Sequence, residues 1–393
     1  MKSVMVALLM VSLLASSSSA LSRGFDSNLK AEVKVYRFPM VRWQLGAMQD
    51  DLVRFFQRPQ RVEDETSQVN KYFATVERIN TLAREINNPS VDKRNVTSLE
   101  AELKSLQEQQ KSAEDGVKRT ITNQIRTILA EQGIFRFPGV NFKLEKPPNL
   151  LVVSPRDRIE SLREITLKSG LPLHEIEEIE AKVDKLGVSA LVVPLGGLGA
   201  TYPTFVSNEA GLRFTLDTAI HEWLHQYLTF KPLGFRYLLD VTGIARNYDI
   251  ATMDETAVGM AAKELSAMVY ERYYSGDKDS IQEVQHSPSG FDFNREMREI
   301  RQTVDTYLAS ADITAAEKFM AEKQQYLASK GYNIRKLNQA YFAFYGTYAD
   351  GPTSVSPIGT ELKQLRAQSA SLKDFLHKVA GMTSRQALRN SLK

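Results

Sequence analysis

The sequence predicts an α+β fold that is mainly helical, and three observations carry that expectation. Apolar side chains recur at three- and four-residue steps through residues 47–86 and again through 99–129, which is the spacing of one helix face. Three short runs, "NLLVVS" (149–154), "SALVVP" (189–194) and "TYPTFVS" (201–207), are β-rich and bounded by Pro and Gly, as strands of a small sheet are. From Leu212 onward the pattern is helical throughout, punctuated by turn-rich stretches such as "KPLGF", "VTGIARNYD" and "ADGPTSVSP".

The first segment, "MKSVMVALLMVSLLASSSSALSRGF", has Lys2, an apolar run from Val4 to Ala15 broken by Ser12, and small residues at Ser18 and Ala20. It reads as a secretory signal over residues 1–20, cleaved after Ala20. The apolar run falls short of the roughly 20 residues a bilayer span needs, so no stable membrane span is expected after cleavage. The chain contains no cysteine, which excludes disulfides, thiol nucleophiles and thiolate metal ligands. An exported chain without cysteine fits a bacterial periplasm. The 393 residues carry 50 basic and 47 acidic side chains, net +3, a near balance that gives no reason to expect nucleic acid as a partner.

The first helical stripe includes Leu52, Phe55 and Phe56, then Val69, Tyr72, Phe73, Val76, Ile79, Leu82 and Ile86. The turn-forming "NNPSVDKRN" interrupts it, and periodicity resumes at Leu99, Leu103, Leu106, Val117, Ile121, Ile125 and Leu129. Two such helices joined by a short loop bury their stripes against each other or a third element, so an antiparallel hairpin is expected. Its charged, Gln-rich outer face is a candidate surface for a protein partner. Between the first two β-rich runs, "PLHEIEEIEAKVDKLG" reads as a helix, with His174 in its acidic first turn.

The segment "GLRFTLDTAIHEWLHQYLTF" has apolar residues on most turns and a "KPLG" stop after Phe230, so His221 and His225 belong to one helix. Four residues apart, they project from the same face, close enough for both imidazoles to reach one ion. Zinc favours nitrogen and oxygen donors in a tetrahedral arrangement, and a catalytic zinc keeps its fourth position for water. One more protein ligand is therefore needed. Glu222 is placed to accept a proton from a zinc-activated water, whose pKa falls to about 7, and to pass it to a leaving amine.

The flanks Thr218, Ala219, Ile220, Trp223, Leu224, Gln226 and Tyr227 extend the motif, and the segment resembles the active-site helix of the zincin metallopeptidases. The metzincin branch requires a histidine six residues past His225, where Lys231 stands. The resemblance is therefore to gluzincins, whose third ligand is a glutamate on a later helix. It implies Zn2+ held by His221, His225 and Glu255, the last in "NYDIATMDETAVGMAAKELSAMVYERYY". Asp254 is the alternative ligand, and Glu264 reads as a solvated or salt-bridged position. Thermolysin-like gluzincins carry an aspartate four residues past the ligand glutamate, where this chain has Gly259. Another group, Asp249 or a backbone carbonyl, is then needed to orient a histidine ligand.

The resemblance further implies an oxyanion donor, with Tyr341, Tyr345 and Tyr348 and the late histidines His286 and His377 as the choices, and Tyr345 the one taken. "GGLGATYPTFVS" lies where zincins place the edge strand that takes an extended substrate, and an ordinary Gly-rich turn fits the same letters. The implied organisation is a signal peptide over 1–20, a helical hairpin region over 21–140 and a zincin-like domain with a helical C-terminal lobe over 141–393. The expected activity is hydrolysis of peptide or protein substrates by zinc-activated water with Glu222 as general base. The alternative is a non-catalytic periplasmic scaffold that binds partners through the hairpin.

Overall fold

The computed structural model describes residues 23–39, 65–86, 93–134, 137–199, 201–275 and 291–392. The signal segment, the apolar positions Leu52, Phe55 and Phe56, and His286 lie outside the described residues. The fold is α+β and mainly helical, with two small sheets of three strands each. Among the described residues, no helix is long and apolar enough to cross a membrane.

The hairpin consists of α2 (Glu65–Ile86) and α3 (Lys93–Glu131), packed along each other. Val69, Tyr72, Phe73, Val76 and Leu82 are its buried positions on α2, and Val117, Ile121, Ile125 and Leu129 answer them from α3. The second helix starts at Lys93, several residues before the apolar periodicity resumes. A short helix that precedes the hairpin, α1 (Arg23–Val33), packs elsewhere, against the α4 helix (Leu173–Asp184).

The first sheet has the order β1-β6-β5: β1 (Phe142–Glu145) runs parallel to β6 (Thr204–Ser207), and β5 (Gly197–Leu198) pairs antiparallel on its far side. The second sheet has the order β3-β2-β4, with β2 (Asn149–Pro155) antiparallel to both β3 (Arg163–Leu167) and β4 (Val188–Pro194). Strands β2, β4 and β6 fall on the β-rich runs of the sequence. Strands β1 and β3 do not, since "FKLE" and "REITL" carry charges at edge positions and lack the apolar continuity that marks a buried strand. Leu151, Val153 and Val192 on one face of the second sheet pack with Leu29, Val33, Ile179 and Val183 of α1 and α4. Its other face, with Leu150, Val152, Leu191 and Val193, meets Ala340, Tyr341 and Phe344 of α10 (Gln339–Tyr345).

Three consecutive helices build the centre: α5 (Leu212–Thr229), α6 (Pro232–Val241) and α7 (Tyr248–Tyr274). Helices α8 (Phe293–Ala309) and α9 (Ile313–Ser329) form a separate pair around Met297, Ile300, Val304 and Met320. The chain closes with α11 (Ile358–Ala367), α12 (Leu372–Ala380) and α13 (Arg385–Asn390). Hairpin, α5, α7 and these last helices share one core, in which Phe73, Ile121, Trp223, Met253, Leu362 and Phe375 are all buried. Among the described residues, the two hairpin helices are therefore continuous in packing with the rest of the molecule.

Two glycines separate close approach from open space. A Cβ on Gly234 would lie 2.2 Å from the backbone carbonyl of Leu228, so α6 leaves the end of α5 at a distance only glycine permits. A Cβ on Gly259, inside α7, meets nothing within 4 Å. Gly234→Ala is expected to cost about 1–3 kcal/mol or more through overpacking against backbone, whereas Gly259→Ala should stabilise by about 0.5–1 kcal/mol through helix propensity. Urea unfolding midpoints of the two variants against the parent check both signs.

Candidate metal centre

Helix α5 is buried on most sides. Leu216, Ile220, Trp223, Leu224 and Leu228 lie in the core, the Trp223 indole donates to the Pro138 carbonyl at 2.8 Å, and the Gln226 amide donates to the Thr201 carbonyl at 2.6 Å. His221, Glu222 and His225 break this shell, each part-exposed. A helix anchored by two side-chain hydrogen bonds thus leaves these three polar residues part-exposed.

The two imidazoles meet as helical spacing requires, with Nε2 of His221 and Nε2 of His225 3.0 Å apart. Glu255, on the facing α7, brings Oε2 to 3.4 Å from His221 Nε2 and 3.5 Å from His225 Nε2. Among the described residues these three side chains are the group whose donor atoms converge closely enough to hold a metal ion. Tetrahedral zinc with bonds of 2.0–2.2 Å places neighbouring ligand atoms about 3.4 Å apart, as both histidine–glutamate separations are, while the two imidazoles lie closer at 3.0 Å. Oε2 is also buried without a hydrogen-bond partner, which is costly for a carboxylate oxygen unless a cation takes it. The donor set and its spacing fit zinc.

Asp254 is not a member of the convergent set. Its Oδ1 lies 2.8 Å from His225 Nδ1, on the ring edge opposite the cluster, and its side chain is fully buried. It is an orienting partner of His225 and not the alternative ligand. The carboxylate that faces the imidazole therefore comes from the residue just before Glu255, and Asp249 is exposed at the start of α7. Glu264 is held by Arg366 through two hydrogen bonds of 2.7 and 3.0 Å, the salt-bridged position expected of it.

Tyr237 of α6 was without a sequence signal. Its hydroxyl donates to Glu255 Oε1, and its ring stacks on His225 at 5.2 Å between centroids and 20° between planes. Burial, reinforced by Glu255 and Asp254, pushes its phenol well above the ordinary range, so the hydroxyl remains a donor. Burial alone would lower His225, but Glu255 and Asp254 outweigh it and hold the imidazole well above its usual value. For Glu255 burial works upward and is outweighed by His225 and His221, leaving the carboxyl well below its usual range.

Glu222 lies beside the cluster, and burial pushes its carboxyl up against the opposing pull of His221 and His225. Its carboxylate rests on the glycine strand: a Cβ on Gly197 would come within 2.7 Å of its Oε1, and one on Gly199 within 2.6 Å of its Oε2. These glycines are required by contact with α5, so the run is more than a turn before a strand. β5 is also the edge of its sheet, the place expected for it.

Tyr345 is turned away from the cluster. It is 36% exposed and packs on Tyr341 and Phe344, with centroids at 4.6 and 5.0 Å. Tyr348 lies beside the cluster, its ring 6.3 Å from that of His221. Burial, then the charges of Glu255 and Glu222, raise its phenol well above the ordinary range, keeping it a proton donor. Tyr345 is the last residue of α10, and Tyr348 lies three residues beyond its end. His174 is exposed in the first turn of α4, and His377 lies in α12 beside a groove with Phe137, Tyr227 and Lys373. No family model, no curated protein and no solved structure matches this chain.

Proposed function

We propose that the chain is an exported zinc-dependent peptidase of gluzincin type, with His221, His225 and Glu255 as metal ligands and Glu222 as general base. The observation that carries the reading is the convergence of two Nε2 atoms and one partnerless carboxylate oxygen at 3.0, 3.4 and 3.5 Å, with a raised carboxyl beside them. Export rests on the signal-like first twenty residues of the sequence. A zinc ion at these atoms supplies Lewis acidity, lowering the pKa of water and polarising a carbonyl.

This chain's own residues do the rest. Glu222, held between α5 and the glycine strand, accepts the proton of the attacking water and returns it to the departing amine. Its raised pKa makes it a stronger base than an ordinary carboxylate. Tyr348 donates to the oxygen on which negative charge develops. Asp254 keeps His225 in one orientation and tautomer. The free edge of β5 offers main-chain donors and acceptors to an extended peptide, which sets the scissile bond beside Glu222.

Glu222→Gln preserves shape and removes the base. Zinc content by metal analysis should stay at the parent's level, while hydrolysis of a denatured-protein substrate should fall by several orders of magnitude. Absence of zinc from the parent protein, or hydrolysis unchanged in this variant, would leave the scaffold alternative standing. Tyr348→Phe should lower kcat by about 10²–10³-fold with little change in KM, and Tyr345→Phe should leave both unaltered. A reversed ranking of these two in steady-state kinetics would return the oxyanion role to Tyr345.

A further inference from the structure

The three helices of the centre contribute to the cluster in turn, and the middle one has no part in the expected ligand set. Its side chain nearest the cluster is Tyr237. The two oxygens of Glu255 are in unlike states: Oε1 accepts from the Tyr237 hydroxyl, and Oε2 is buried with no hydrogen-bond partner. A carboxylate with both oxygens free can grip a cation through both, which raises its coordination number. One whose Oε1 already accepts a phenol hydrogen bond is held with Oε2 toward the cation, and its Oε1 is made a weaker second donor.

We propose that Tyr237 is a positioning residue of this centre, one that makes Glu255 a one-oxygen ligand by occupying Oε1 and braces the His225 ring by stacking on it. The proposal rests on the metal reading above and deepens it. Its geometry is locked from both ends of α6. At the start, Pro232 occupies the first turn, Leu233 is fully buried, and Gly234 sits against the Leu228 backbone at a distance no side chain permits. At the end, Asp240 Oδ1 accepts from the Asn247 backbone at 2.6 Å, and Asn247 caps α7 by accepting from the Ile250 backbone at 3.1 Å. A hydroxyl on a rigid element between the histidine helix and the glutamate helix reports the position of one to the other. The ring face and the hydroxyl then act on two different ligands at once, which a merely space-filling aromatic would not do.

The test uses the full chain and zinc or cobalt alone. In the zinc-loaded parent, X-ray absorption fine structure should fit one oxygen from Glu255, without the second oxygen and short metal–carbon distance of a two-oxygen grip. Tyr237→Phe keeps the stacked ring and removes the hydroxyl. Chelator competition should show zinc affinity reduced by about 10–100-fold, as loss of an orienting partner does. The cobalt-loaded variant should lose intensity in its visible d–d bands as the freed oxygen joins the ion. A purely structural role would lower the unfolding midpoint of the metal-free variant and leave the cobalt spectrum unmoved, which would overturn the proposal. Unchanged zinc affinity in the variant, or a two-oxygen grip in the parent, would overturn it while leaving the peptidase reading intact. A parent protein that binds no zinc would overturn both, and that result is distinct from the others.

Discussion

The His225 ring is the point on which the centre is built, because every edge of it is occupied by a different part of the chain. Nδ1 faces Asp254 at 2.8 Å, Nε2 faces His221 at 3.0 Å and Glu255 at 3.5 Å, and Tyr237 covers a face. An imidazole in so enclosed a place would be held neutral by desolvation alone. A neutral ring is what a cation at Nε2 requires under the proposed reading, and the carboxylates of α7 are tolerated in the interior because Nδ1 meets Asp254 and the cation would meet Glu255. Removing either partner leaves a buried charge without compensation, so the facing of α5 and α7 is fixed by electrostatics as well as by packing. Consecutive residues of one helix, Asp254 and Glu255, reach opposite edges of a single ring.

The rest of the fold keeps this pair of helices from moving. The hairpin and the final helices contribute to the same core as α5 and α7, and the backbone carbonyls of Pro138 and Thr201 tie α5 to the first sheet through Trp223 and Gln226. The second sheet is fastened to the helical side by a different device. Glu180, almost fully buried, accepts from the Val192 backbone at 2.7 Å and pairs with Arg335, which also donates to the Val192 carbonyl at 2.9 Å. Arg335 precedes α10 and thus Tyr348, so the strand-to-arginine network locates the segment that carries the proposed oxyanion donor. A buried ion pair of this kind adds less to stability than to uniqueness of arrangement when its remaining donors and acceptors are filled.

Much of this was legible in the sequence. Helical periodicity located the hairpin, the separation of His221 and His225 placed both on one face, and the run of small residues around Glu255 marked a closely packed helix. What escaped it depends on direction in space. Asp254 and Glu255 are chemically alike and adjacent, and only the docking angle of α7 decides which oxygen enters the cluster and which orients a ring. Tyr345 and Tyr348 are three residues apart with equal claims on paper, but α10 ends at Tyr345 and only Tyr348 has its ring beside that of His221. Tyr237 had no sequence pattern to announce it, since its role comes from the close approach of α6 to α5 at Gly234. The short strands β1 and β3 were hidden because their pairing partners, and not their own letters, make them strands.

Gly197 of β5 and Gly199 just beyond it show how the position of the proposed general base is set. Without side chains, Gly197 and Gly199 let the strand lie against α5 closely enough for the Glu222 carboxylate to rest on backbone. A Cβ at either position would force the carboxylate outward or the strand away, and Thr218 would be struck as well, at 2.5 Å from a Cβ on Gly197. Glycine here therefore determines the distance between a sheet edge and an acid on a helix. That distance is the one the proposed chemistry depends on, since a peptide paired to the edge is brought to Glu222 by the same few ångströms. The same contacts account for the raised carboxyl: enclosure between strand and helix removes water from Glu222, and loss of that water is what strengthens it as a base.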